Sequence, residues 1–223
     1  MNPKKLKTLI SKARKELSWL ILEEEQPSGP LHIFSDPLVR THTIIRSVAP
    51  PGDVGGPDQD IHYLHELGHA LLCERVHPFF SNNFPINGLT REQMPAVSPV
   101  LSTASDWFVG HWLTEFCPEV AIPELKKEFA VTARMLDQKE TPDLDRFFVA
   151  VLIIAQANTY LGEQVTCAGF LDEAVKAFLA VPPANPTLEK LEELINSLLA
   201  LGSPFQCRHV PHKGQDVLHF FRV

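Results

Sequence analysis

Between Asp60 and Val76, Leu64, Leu67 and Leu71 recur at helical spacing, while His65 and His69 fall on the opposing side with His62 and Cys73. The core of this segment, His65-Glu66-Leu67-Gly68-His69, constrains the chain more than any other feature. A helix brings residues i and i+4 to one face, about 5–6 Å apart at Cβ, so the two imidazoles can reach one ion. Zinc accepts imidazole nitrogen, and a catalytic zinc keeps three protein ligands and an open position for water. Glu66 then projects beside the ion, placed to take a proton from that water rather than to ligate strongly. Gly68 costs the helix about 1 kcal/mol relative to alanine, which implies that another backbone or a substrate passes close to it.

Followed by Ala70-Leu71-Leu72, these residues resemble the active-site helix of the zincin metallopeptidases. The resemblance implies an α+β fold, mainly helical, with a small sheet preceding the active-site helix. In that family an edge strand of the sheet aligns the substrate and a second helix supplies the third ligand. It further implies Zn2+ on His65 and His69, Glu66 as general base and then acid, and a peptide or protein as substrate. The metzincin extension is absent, since Ala70-Leu71-Leu72-Cys73-Glu74-Arg75 follow His69.

The leading third ligand is Asp106. On a helical wheel it shares a stripe with Val109, Gly110 and Leu113, where a carboxylate is costly unless it meets a cation. The stretch is similar to the aspartate-ligand zincins, whose second helix carries Asp and then Gly four residues on, as Asp106 and Gly110 do. Those enzymes have Tyr where Val109 stands, so an oxyanion donor is sought among Tyr63, Tyr160, His209 and His212. Glu115, at the spacing of a glutamate-ligand zincin, and His111 are the alternative ligands. An ordinary first-turn acid is the competing role for Asp106.

Elsewhere the chain sets limits. Its 20 Lys+Arg against 27 Asp+Glu give a formal net charge of −7 without a basic stripe, which argues against a nucleic-acid partner. Cys73, Cys117, Cys167 and Cys207 form no C-x-x-C pair and read as reduced thiols of a cytoplasmic protein. The longest apolar run, Phe147 to Ala155, is far short of the roughly 20 residues that span a bilayer, so no membrane segment is expected.

One domain is expected over residues 1–223, with sheet, active-site helix and third-ligand helix within 1–117 and a helical part over 118–223. An amphipathic helix is expected over the first 25 residues, strands at Leu31–Phe34 and His42–Val48, and a Pro/Gly-rich turn from Pro50 to Asp58. Residues 77–102, with Pro78, Pro85, Pro95 and Pro99, read as a long irregular excursion. Helices are expected at about 105–117, 119–138, 142–161, 163–180 and 187–201, and Asp216–Val223 as a strand returning to the early ones. Besides hydrolysis, the sequence accommodates a zinc-binding regulatory or interaction protein with a dedicated partner, or a metal-stabilised structural domain.

Overall fold

The computed structural model of the protein describes residues 3–26, 31–47, 57–81, 85–138, 142–212 and 214–223. Helix α1 (Pro3–Lys15) buries Leu6, Ile10 and Ala13, a stripe at helical spacing. It stops well short of residue 25. Leu20–Gln26 is instead a strand, β1, paired in parallel with β3 (Thr41–Ser47) along its whole length. Local helix propensity of Leu and Glu yields there to ladder pairing and to the Glu74 carboxylate, which takes the backbone N–H groups of Ser18 and Trp19.

Strand β2 (His32–Asp36) pairs antiparallel with β3, giving the order β1-β3-β2 and leaving β2 at an edge. Both expected early strands are therefore present. Val48 and the expected turn from Pro50 lie outside the described residues as far as residue 56.

Helix α2 (Pro57–Arg75) carries the two histidines. Its surroundings differ from those of a one-faced amphipathic helix, because Tyr63, Glu66, His69 and Cys73 are buried along with Leu64, Leu67 and Leu71. The helix stands between two apolar clusters. One holds Leu6, Ile10, Ile33, Ile44, Leu64, Leu67 and Leu71, joining α1 and the first sheet. The other, larger one gathers Leu72 with the later helices.

The excursion expected over 77–102 is more ordered than its prolines suggest. A 3-10 turn occupies Pro78–Phe80, β4 covers Ile86–Asn87, and α3 runs from Met94 to Phe116. Pro95 sits in the first turn, where a missing N–H costs little, but Pro99 lies inside the helix. The roughly 3 kcal/mol penalty of an interior proline is offset by burial of Val97, Val100, Leu101, Ala104, Trp107 and Phe108 on one stripe.

Helices α4 (Pro118–Asp137), α5 (Leu144–Tyr160), α6 (Gly169–Ala180) and α7 (Leu188–Leu199) follow the expected order, with α6 starting later. The C-terminal strand β6 (Gln215–Arg222) does not return to the early strands. It pairs antiparallel with β5 (Phe205–His212), which the sequence pattern did not single out, and in parallel with β4, in a second sheet of order β4-β6-β5. Asn196 of α7 fixes this hairpin by bonding both N–H (2.8 Å) and C=O (2.9 Å) of Cys207. No helix among the described residues is long and apolar enough to cross a membrane.

Candidate metal centre

Helix α2 can lie close to α3 because Gly68 has no side chain. A Cβ at that position would stand 2.8 Å from Val109 Cγ1 and 2.9 Å from the Trp112 ring. The neighbour at Gly68 is thus a pair of α3 side chains instead of the backbone or substrate expected there. One of them is Val109, which is fully buried.

This approach brings His65, His69 and Asp106 together. Asp106 Oδ1 is 3.1 Å from His65 Nε2 and 3.0 Å from His69 Nε2, and the two Nε2 atoms are 3.2 Å apart. Four ligands held tetrahedrally about 2.0–2.1 Å from zinc would stand roughly 3.3 Å from one another, so the three donors already have nearly the spacing of one zinc shell. The chemistry fits equally well, with two imidazoles and one carboxylate. His69 Nδ1 donates to the Phe80 carbonyl oxygen at 2.7 Å, which leaves Nε2 as the ligating lone pair. Phe80 is positioned by the 3-10 turn that follows α2.

Electrostatics at this point favour an added positive charge. Burial opposes ionisation of Asp106, yet the adjoining His65 and His69 imidazoles outweigh it and hold the carboxyl well below the usual carboxylate range. Burial likewise disfavours protonated His65, and Asp106 outweighs it, so the His65 pKa is raised. A divalent cation would satisfy the same carboxylate without requiring a proton on either ring.

Glu66 is buried and lies on the side of the edge strand. Its Oε2 accepts the Ile33 N–H of β2 at 2.9 Å, and its Oε1 is 4.0 Å from His62 Nε2. His62 itself is exposed and bonds the carbonyl of Leu31, the residue just before that strand, at 3.1 Å. The backbone of β2 therefore sets the direction of the Glu66 carboxylate.

The expected alternatives stand apart. Glu115 is exposed, and His111 Nδ1 bonds the Tyr160 hydroxyl at 2.9 Å. Among the described residues, His65, His69 and Asp106 form the one group able to hold a metal ion. Of the hydroxyl and imidazole candidates for an oxyanion donor, Tyr160 lines the cavity beside this group. Tyr63 is buried against Arg14, His209 pairs with Glu192, and His212 belongs to the β5–β6 hairpin.

That cavity, of about 340 Å3, lies between α3, α4 and α5 and includes His65 and Asp106 in its wall. Its remaining lining mixes apolar side chains, among them Ile61, Leu113, Leu125, Leu152 and Ile153, with the polar His62, Thr114, Glu124, Glu128, Gln156 and Tyr160. Desolvation at the groove, followed by repulsion from Glu124, raises the Glu128 pKa. The sequence pattern did not single out Gln156. It directly follows the apolar run Phe147–Ala155, and nothing local marks it.

No protein-family model, curated protein or solved structure matches the chain.

Proposed function

We propose that the protein is a zinc-dependent, zincin-like metallopeptidase in which His65, His69 and Asp106 hold the ion and Glu66 moves the proton. The convergence of the three donors at 3.0–3.2 Å carries this reading, because nothing in ordinary packing requires two Nε2 atoms to face one carboxylate oxygen. When bound, zinc would polarise a scissile carbonyl and acidify the attacking water.

The chain's own residues supply the rest. Glu66, with Oε2 held by the Ile33 N–H, takes a proton from water at its carboxylate and passes it to the departing amine. The Phe80 carbonyl keeps His69 in the ligating tautomer. The edge of β2, whose Ile33 N–H holds Glu66, and the cavity walled by His65 and Asp106 would receive a peptide substrate. The four unpaired thiols, three of them buried, suit the reducing conditions of the cytoplasm.

Glu66→Gln tests the reading directly. The variant should retain zinc and fold while hydrolysis of a mixed peptide library falls by about a hundredfold or more, the scale of a lost general base. Unchanged hydrolysis, or loss of metal and fold together, would contradict the role assigned to Glu66. Zinc-loaded wild type that cleaves nothing in the library would favour the binding-protein alternative.

A further inference from the structure

Gly110 stands one turn beyond Asp106 on α3, and its missing side chain makes room for one group. A Cβ there would lie 2.1 Å from Gln156 Nε2, a distance that no real contact tolerates. The Asp106-x-x-x-Gly110 spacing therefore does two things in this fold: it places a ligand, and it admits the Gln156 amide from α5 one turn away. Four residues along a helix correspond to about 6 Å, so the amide lies within that order of distance from the ligand carboxylate.

The surroundings of Gln156 make a packing role insufficient. Along α5 the cavity-lining stripe runs Val149, Leu152, Ile153, Gln156 and Tyr160, an amide among apolar neighbours. Among the described residues the Gln156 side chain has no hydrogen-bond partner. A glutamine that serves only to fill space would be replaced more cheaply by leucine or methionine, which carry no polar group to desolvate.

We infer that the Gln156 amide holds a peptide bond of the substrate adjacent to the scissile one, donating to its carbonyl oxygen and accepting from its N–H. This rests on the metallopeptidase reading above. A primary amide offers the donor and acceptor pair that complements a peptide group. Consecutive peptide groups in an extended chain are about 3.3–3.6 Å apart, so with one peptide bond at the metal centre its neighbours fall within reach of a group about 6 Å from Asp106. Apart from His65 and Asp106, the other polar groups of the lining are His62, Thr114, Glu124, Glu128 and Tyr160, and Gln156 is the amide among them, with a donor and an acceptor set side by side as in a peptide group. Gln156 is thus a substrate-positioning residue, and the cavity recognises peptide backbone.

Zinc-loaded protein with hydroxamate probes separates this inference from the reading beneath it. Acetohydroxamate reports the metal alone, while two peptidyl hydroxamates, extended on either side of the zinc-binding group, add a peptide bond. Wild type should bind one peptidyl probe at least about tenfold more tightly than acetohydroxamate, and Gln156→Leu should remove most of that preference while leaving acetohydroxamate affinity within about twofold. Gly110→Ala, which displaces the amide without removing it, should reproduce the loss. Zinc content and thermal melting of each variant establish that it is folded and loaded. A peptidyl preference unchanged in Gln156→Leu, or absent in wild type, would overturn the role of Gln156 and leave the metal centre standing. A chain that takes up no zinc would overturn both.

Discussion

Helix α2 enters two histidine–carboxylate clusters, and they are built for opposite ends. Near its C-terminus, Glu74 meets His42 of β3 at 2.9 Å, with the imidazole wholly buried. Every polar atom there is answered: His42 Nδ1 bonds Ser35 Oγ at 2.8 Å, and Glu74 takes the Ser18 hydroxyl and the N–H groups of Ser18 and Trp19. At mid-helix, the two Nε2 atoms of His65 and His69 crowd one oxygen of Asp106 beside an open cavity. The first cluster is closed and binds sheet to helix. In the second, donors converge on a point instead of pairing off, an arrangement that could hold a metal ion.

The largest effect separating the two comes from His42→Ala. Removing one partner of a buried pair should cost about 3–5 kcal/mol in denaturant unfolding, with zinc per folded chain unchanged. Zinc loss in the folded variant would show that the clusters are not independent. Gly68→Ala should cost about 1–3 kcal/mol, since the new methyl meets Val109 and Trp112, and it should also weaken zinc binding by moving α3 and Asp106 away from α2. Destabilisation with undiminished zinc affinity would show that the α2–α3 approach does not set the ligand geometry.

A smaller effect depends on pH. Burial lowers the His42 pKa from 6.5 despite the opposing pull of Glu74, so the unfolded chain takes up this proton first. Its contribution is therefore intact above about pH 6.5 and is lost as the pH falls from there through the lower folded value. Melting temperatures measured between about pH 7.5 and about pH 5.5 should decline more steeply for wild type than for His42→Gln. Equal slopes would remove His42 from the acid sensitivity. Smallest of all, Glu115→Ala and His111→Ala should leave zinc content at the wild-type level, as measured by elemental analysis; a loss in either would redraw the ligand set.

The open cluster was far more legible in the sequence than the closed one. His65, Glu66 and His69 announce themselves because i, i+4 spacing is a local property, and Asp106 was found by the cost of an acid on an apolar helical stripe. The His42–Glu74 pair joins residues 32 positions apart through strand pairing, which no local pattern encodes. For the same reason β1 reads as a continuation of α1, and β6 reads as a partner of the early sheet. Pro99 misleads in the opposite direction, since its penalty is local and the burial that offsets it is tertiary. Gln156 is silent in sequence because its meaning depends on Gly110, a residue on another helix.

The most direct test is the metal content of purified wild type and of Asp106→Ala, by elemental analysis after loosely held ions are removed. Convergence of His65, His69 and Asp106 on one ion requires one zinc per chain in the wild type and substantial loss in the variant, with the fold retained. A wild-type protein that holds no zinc and cannot be loaded, or an Asp106→Ala variant that keeps its full complement, would contradict it.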